Sequence, residues 1–232
     1  MPILHLLPVP ISDNSLNELP EATKLCVASL DTFIVERAKT ARHWLKEFGQ
    51  TATLNNKLLI ELPKHDEVSN HWFIENVPNT DIGLMSEAGS PCIADPGNAI
   101  VTIARELGWR IQPHVGPVSL MLALMASGLN GQNFQFHGYL PQKKEALKQA
   151  IRQIEIDVNK TGSSHIFIET PYRNLSLLET LLSFLDGSIR LHISIDLTGE
   201  NEFAMTKTVN QWKKSIPKAI GLKMPAIFIL GK

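Results

Sequence analysis

Residues 86–98 read Ser-Glu-Ala-Gly-Ser-Pro-Cys-Ile-Ala-Asp-Pro-Gly-Asn and have the composition of a ligand-binding loop. The loop follows an apolar run, 82–85, that predicts a buried strand. It precedes 99–107, where apolar residues recur at helical spacing. Open α/β sheets bind ligands in loops of this kind, between a core strand and a helix. The acids Glu87 and Asp95 are the residues nearest to any chemistry there, although Asp is also common as a turn or capping residue.

The sequence of this loop resembles the S-A-G-x-P-x-x-x-D-P-G motif of the class III, tetrapyrrole methylase-like S-adenosylmethionine methyltransferases. Three further segments resemble the same family in the same order, namely 115–119, 137–141 and 168–173. Within the family, these motifs are most similar in sequence to those of the bacterial small-subunit ribosomal RNA ribose 2′-O-methyltransferases. Four motifs in order make a specific pattern, whereas a single Asp-Pro-Gly would indicate an ordinary turn.

The resemblance implies that S-adenosylmethionine, the methyl donor, binds in a cleft between two domains. It implies that Glu87, Asp95 and Glu169 are catalytic. The residues that it implies for donor binding come from four loops and one helix start: Pro10, Glu87, Ala88, Gly89, Ser90, Ile93, Asp95, Pro96, Gly97, Val118, Ser119, Tyr139, Leu140, Glu169, Thr170 and Pro171. The sequence does not identify a general base. The family's Glu-Ser-Pro-His-Arg segment has a His at the position where this chain has Tyr172.

Two segments near the amino terminus match the family less well. The first loop, residues 8–14, stands where the family has Gly-Thr-Pro-Ile-Gly-Asn, and it keeps Pro10 and Ile11 but lacks the glycines. Because glycine lets a backbone approach a ligand closely, we expect this loop to lie farther from the donor or to serve another substrate. The nearest counterparts of the family's Glu-Asp-Thr-Arg-like segment are Glu36, Arg37, Thr40 and Arg42, which could equally form a solvated, mildly basic helix face.

The order of predicted elements favours two α/β domains, as the resemblance also implies. Residues 1–139 alternate strands with helices and predict a mainly parallel sheet, and residues 140–232 are richer in strands and predict a mixed sheet. Residues 134–139 are predicted to be a strand that leads out of the first domain. The helix predicted at 118–127 is apolar nearly all round, so we expect it to be buried.

The charge balance argues against a protein that binds nucleic acid over its whole surface. The chain has 232 residues, 44% of them hydrophobic, and 22 basic residues against 23 acidic ones. Any RNA contact must therefore come from a local basic patch. The best candidate lies on and beside the helix predicted at 145–156 and consists of Lys143, Lys144, Lys148 and Arg152. A solvated helix face is the alternative interpretation.

Cysteine and hydropathy patterns indicate a reduced compartment. The two cysteines, Cys26 and Cys92, are too few for a disulfide framework, and no His or Cys pair has metal-ligand spacing, so we predict no metal site. No apolar stretch reaches the ~20 residues of a membrane span, and no signal peptide is visible. We therefore expect a cytoplasmic protein without membrane contact.

Three functions are compatible with these patterns. The leading one is a methyltransferase that acts on the 2′-hydroxyl of RNA ribose, working as a homodimer as the family usually does. The alternatives are methylation of a tetrapyrrole or another small molecule, and a non-catalytic protein that binds the donor. Relatives that act on ribosomal RNA extend into a small C-terminal helical module, which we expect this chain to lack because it ends at Lys232.

Overall fold

The computed structural model describes residues 1–13, 15–63, 68–214 and 223–232. Asn14, the last residue of the first loop, lies outside these ranges. The chain forms two compact units, Met1–Val118 and Ser119–Lys232. Each unit has one five-stranded sheet and several helices, which confirms the predicted α/β class. None of the helices in the described ranges is long and apolar enough to cross a membrane.

The first unit has a fully parallel sheet with the strand order β3-β2-β4-β1-β5. Its elements are β1 (Ile3–Leu7), α1 (Glu21–Ser29), β2 (Thr32–Val35), α2 (Ala38–Glu47), β3 (Leu58–Glu61), α3 (Asn70–Asn76), β4 (Ile82–Met85), α4 (Asn98–Glu106) and β5 (Arg110–Pro113). Apolar strands of this kind must be covered on both faces. One core joins Leu7 and Phe33 to α1 and α2, and the other joins Leu4 and Ile34 to α3 and α4.

This strand order creates a switch point beside the two inner strands β1 and β4. The chain leaves β1 towards β2 on one side and leaves β4 towards β5 on the other side. The loops that follow β1 and β4 therefore diverge, and such a divergence opens the crevice where open α/β sheets bind ligands. The first loop and loop 86–97 are the two loops at this position.

The second unit has the mixed sheet that the sequence predicts, in the order β6-β7-β10-β8-β9. Its elements are α5 (Ser119–Ser127), β6 (Phe134–Tyr139), α6 (Lys144–Thr161), β7 (Ser164–Glu169), α7 (Asn174–Phe184), β8 (Arg190–Ile195), β9 (Phe203–Thr208), α8 (Val209–Lys214) and β10 (Ala226–Gly231). β6 and β7 are parallel, and the other pairs are antiparallel. The buried Trp212 ties α8 to β8 by donating a hydrogen bond to the carbonyl of Leu191.

The contacts divide the chain earlier than the boundary predicted between residues 139 and 140. β6, predicted to lead out of the first domain, pairs along its length with β7 of the second unit. Helix α5 packs on β8, β9 and β10 and therefore also belongs to that unit. The expectation that α5 is buried all round is wrong, because one face covers the sheet while Met125 on the other face is 78% exposed.

Candidate functional site

Loop 86–97 is held in shape by its own polar side chains. Ser86 Oγ donates a 2.8 Å hydrogen bond to the carbonyl of Gly89 and so closes the first turn of the loop. Ser90 Oγ donates a 3.0 Å hydrogen bond to the carbonyl of Pro117, which follows β5. The loop is thereby fixed both to itself and to the segment after β5, which is separated from β4 in the sheet by β1.

The backbone of this loop adopts conformations that side chains disfavour. Gly89 and Gly97 have φ values of 72° and 131°, and the non-glycine residues Cys92 and Ala94 have φ values of 67° and 62°. Cys92 and Ala94 are not glycines, so each carries strain of order 1–3 kcal/mol, and strain of this kind clusters where function demands a particular backbone. At Gly97, a Cβ atom would lie 2.9 Å from the Leu84 side chain, so the start of α4 requires glycine for space as well.

The first loop lies directly against loop 86–97 in spite of its missing glycines. The amide of Val9 donates a 2.9 Å hydrogen bond to the carbonyl of Gly89, and the amide of Gly89 donates a 3.3 Å hydrogen bond to the carbonyl of Pro10. This pair of bonds forms a short antiparallel bridge. The predicted donor-binding residues Pro10 and Gly89 are therefore brought together, and the first loop is part of the same constellation.

The segment after β5 completes this constellation by packing against Pro8. A Cβ atom on Gly116 would lie 2.2 Å from the ring of Pro8, so the absence of a side chain makes room for the proline. A Cβ atom on Gly89 would lie 3.4 Å from the carbonyl oxygen of Pro117. The loops after β1, β4 and β5 thus meet at backbone contact distance, at the carboxyl edge of the sheet.

Three carboxylates gather beside these loops. Burial, followed by the nearby charges of Glu36 and Glu87, raises the pKa of Asp95 to about 6. Glu87 is fixed in place, because Thr40 Oγ1 donates a 2.9 Å hydrogen bond to its Oε2 and Trp44 Nε1 donates a 3.0 Å hydrogen bond to its carbonyl. The surroundings of Asp95 therefore disfavour its ionised form, first through burial and second through the two nearby carboxylates.

Thr40 and Trp44 bring helix α2 into the site. The sequence pointed to Thr40 but not to Trp44. Their spacing of four residues, which puts both side chains on one helix face, is the feature that could have identified Trp44. The interpretation of Thr40 as part of a solvated face is wrong, since its hydroxyl binds Glu87.

The predicted site residues of the second unit lie at the ends of two adjacent parallel strands. Tyr139 ends β6 and is 58% exposed, whereas Leu140 is buried in the core of this unit. Glu169 ends β7, and its side chain is fully buried. Its Oε1 accepts hydrogen bonds from the amide and hydroxyl of Thr170, and its Oε2 lies 3.0 Å from the guanidinium of Arg173. This geometry suits a carboxylate that positions the turn after β7.

The other predicted donor-binding residues occupy the rims of these loops. Ala88, Ile93 and Pro96 are exposed, Val118 is the last residue of the first unit, Ser119 begins α5, and Pro171 lies in the turn after β7. Within each unit, the predicted residues therefore cluster at the carboxyl ends of neighbouring parallel strands.

The chain is similar in sequence to curated proteins named ribosomal RNA small subunit methyltransferase I. It is 31% identical over 199 residues to the protein of Vibrio cholerae, covering 85% of this chain and 65% of that protein. It is 30% identical over 200 residues to the protein of Escherichia coli O157:H7, covering 84% and 65%. The chain thus spans just under two thirds of the length of these relatives. No family model matches it.

Solved structures share the fold at low sequence identity. Uroporphyrin-III-C-methyltransferase from Thermus thermophilus superposes with a TM-score of 0.58 at 15% identity, covering 100% of this chain and 92% of that chain. Diphthine synthase superposes with a TM-score of 0.65 at 16% identity, covering 99% and 90%. The two-unit architecture is therefore that of the tetrapyrrole methylase fold.

Proposed function

Since this chain is a homologue of the ribosomal RNA small subunit methyltransferase I proteins and has the tetrapyrrole methylase fold, we propose that it is an S-adenosylmethionine-dependent methyltransferase. We propose ribosomal RNA as its substrate and a ribose 2′-hydroxyl as the acceptor. The observation that carries the proposal is the meeting of the loops after β1, β4 and β5 at the switch point, with the methyltransferase-like loop 86–97 at their centre.

The residues of this site fit a cationic donor. Glu36, Glu87 and Asp95 place carboxylates beside these loops, and the sulfonium of S-adenosylmethionine would bring positive charge next to them. Backbone groups around Gly89, which carries no side chain, are available to the polar edges of the ligand. When bound, S-adenosylmethionine supplies a methyl group on a good leaving group. Transfer is then an in-line displacement in which positioning contributes much of the rate.

The three predicted catalytic acids have different surroundings, which suit them to different roles. Asp95 has a pKa of about 6, close to neutral pH, which is the property a general base requires. Glu87 is held by Thr40, and Glu169 is held by Thr170 and Arg173. We therefore assign proton transfer to Asp95 and positioning to Glu87 and Glu169.

The proposal also includes an RNA substrate, a homodimer and a cytoplasmic location. The relatives' names support RNA, and α6 offers a basic stripe because Lys144, Lys148 and Arg152 recur every four residues. Lys148 also pairs with Glu145 at 2.9 Å, so Lys144 and Arg152 are the better candidates for phosphate contacts.

The test is methyl transfer from radiolabelled S-adenosylmethionine to small ribosomal subunits purified from a strain that lacks this gene. We expect label in the ribosomal RNA, at a ribose that becomes resistant to alkaline cleavage. The Asp95→Asn variant should lose at least ~10²-fold in rate, as removal of a general base does. The Glu18→Gln variant, which changes an exposed carboxylate outside the site, should keep the wild-type rate.

Two outcomes would overturn parts of this proposal. Transfer to a uroporphyrinogen but not to ribosomal RNA would replace the RNA substrate by a tetrapyrrole. Binding of S-adenosylmethionine without transfer to either acceptor would leave a donor-binding protein without catalysis.

A further inference from the structure

Three potential metal ligands converge in the first unit, away from the carboxylates of loop 86–97. His5 lies in β1, Cys26 lies in α1, and His114 follows β5. His5 Nδ1 and His114 Nε2 are 2.9 Å apart, and Cys26 Sγ lies 3.4 Å from His5 Nδ1 and 3.5 Å from His114 Nε2. The three ligand atoms thus form a nearly equilateral triangle.

The scaffold fixes all three residues independently of any ion. β1 pairs with β5, and the amide of His114 donates a 3.0 Å hydrogen bond to the carbonyl of Leu6. Thr23, one helical turn before Cys26, donates a 2.9 Å hydrogen bond to the carbonyl of Val115, next to His114. The helix that carries the thiol is therefore attached to the segment that carries one of the imidazoles.

The size of the triangle matches a zinc ion. Tetrahedral Zn²⁺ holds imidazole nitrogen at ~2.0–2.1 Å and thiolate sulfur at ~2.3 Å, which places its ligand atoms about 3.3–3.6 Å apart. Both distances from Cys26 Sγ already fall at these values, and the two imidazole nitrogens need to separate by about 0.5 Å. In the absence of an ion, a hydrogen bond between His5 Nδ1 and His114 Nε2, in which one ring donates and the other accepts, keeps these two nitrogens together.

We propose that His5 Nδ1, Cys26 Sγ and His114 Nε2 form a zinc-binding site with a fourth position open to solvent. His5 is nearly buried, but Cys26 and His114 are partly exposed, so an ion and a water molecule can reach the site. A Cys-His₂ set with one free position is the ligand number of open zinc sites. Binding would displace the thiol proton and attach α1 firmly to β1 and β5.

Burial shifts the pKa values of all three ligands towards their neutral forms. It lowers the pKa of His5 and of His114, and together with the charge of Asp81 it raises the pKa of Cys26, so Zn²⁺ must displace the thiol proton as it binds. The charge of Asp81 raises the pKa of His5, whereas the charge of Arg110 lowers it. The sequence predicted no metal site because the ligands are separated by 21 and 88 residues, and only the parallel pairing of β1 with β5 brings them together.

The test is titration of the metal-free full chain with Zn²⁺ against a chromophoric chelator, together with Co²⁺ absorption spectra. We expect one Zn²⁺ per chain. We also expect Co²⁺ to give a thiolate charge-transfer band and the strong visible bands of tetrahedral coordination. Cys26→Ser and His114→Gln should each weaken Zn²⁺ binding at least ~100-fold, since even an outer-shell partner can be worth that much.

Two matched controls keep the test decisive. His71→Gln changes an exposed histidine that pairs with Glu75, and Cys92→Ser removes the other thiol, and neither should alter Zn²⁺ affinity. Circular dichroism of each variant separates loss of a ligand from loss of folding. Equal Zn²⁺ affinity of Cys26→Ser and wild type, or no Zn²⁺ binding by the folded wild type, would overturn the proposal. None of these measurements depends on methyl transfer.

Discussion

At the scale of single residues, Asp95 connects the electrostatics of the site to stability. Its pKa in the folded chain, about 6, is higher than the ordinary value of 3.8. As the pH rises from about 4 to about 6, the unfolded chain therefore loses this proton more readily than the folded chain. Deprotonation costs folding free energy over that range, and the full cost is present above pH 6.

Replacement of Asp95 by Asn should therefore stabilise the protein at neutral pH. Because the carboxyl group is only partly buried, we expect a gain of about 1 kcal/mol at pH 7.5 rather than the full value of a two-unit shift. The gain should vanish near pH 3, below both pKa values, where the folded and unfolded forms are both mostly protonated. Urea unfolding at the two pH values measures it.

The control for this measurement is Glu18→Gln, which removes an exposed carboxylate and should change stability by less than ~0.5 kcal/mol at either pH. A loss of stability in Asp95→Asn at pH 7.5 would mean that the carboxylate makes a favourable contact which outweighs its burial and its neighbours Glu36 and Glu87.

At the scale of elements, the contact between Pro8 and Gly116 packs the first loop against the segment that follows β5. A Cβ atom on Gly116 would meet the rigid proline ring at 2.2 Å, and the φ of this glycine is not positive, so the effect of a side chain is steric. Gly116→Ala should cost about 2 kcal/mol of unfolding free energy, as overpacking does, and should weaken donor binding.

A double variant tests this explanation directly. Pro8→Gly removes the obstructing ring, so the combined loss in Pro8→Gly/Gly116→Ala should be smaller than the sum of the single losses by about 1 kcal/mol or more. Gly131→Ala is the matched control, since a Cβ atom there would meet nothing within 4 Å. Additive losses at Pro8 and Gly116 would show that the two loops are not coupled through this contact.

Sequence patterns predicted the strands well and the contacts between loops poorly. The apolar run 82–85 correctly predicted β4, which is buried at every position, and residues 134–139 were correctly predicted to be a strand, β6. Helix α1 was not predicted, since it buries only Thr23 and Val27 and has a weak apolar stripe. The bridge from Val9 to Gly89 could not be predicted from local patterns, because it depends on β1 and β4 being neighbours.

The candidate site was predicted mainly from the resemblance to the family and less from the physical pattern of its residues. Loop 86–97 was found by its motif, whereas the two α2 side chains on Glu87 and the raised pKa of Asp95 follow from the fold. The missing glycines of the first loop suggested a displaced loop, yet Pro8 is accommodated by glycine at position 116, so the effect of one substitution depends on a residue 108 positions away.

At the scale of the whole molecule, a chain with a net charge near zero must bind RNA through a local basic patch. Replacing Lys144 and Arg152 together by Gln should weaken binding of a ribosomal RNA fragment by about tenfold. It should also reduce the salt dependence of log K by about 1.5–2, as the loss of two phosphate contacts does. Filter binding across a range of salt concentrations measures both quantities.

Lys214→Gln is the control, because Lys214 is an exposed cation on α8, a different helix from the one that carries the stripe. Its affinity and salt dependence should match those of the wild type. An unchanged salt dependence in the Lys144 and Arg152 double variant would show that RNA, if bound, uses another surface.

The central claim is that loop 86–97 forms a donor site, and calorimetric titration with S-adenosylmethionine tests it most directly. The informative pair of variants is Gly89→Ala and Gly49→Ala. Both glycines have positive φ, so each variant should lose about 1 kcal/mol of stability, but only at Gly89 would a side chain face other loops. We predict that the wild type binds the donor, that Gly89→Ala binds it at least ~10-fold more weakly, and that Gly49→Ala binds it normally. A folded wild type that binds neither S-adenosylmethionine nor S-adenosylhomocysteine, or equal binding by the two variants, would contradict the account.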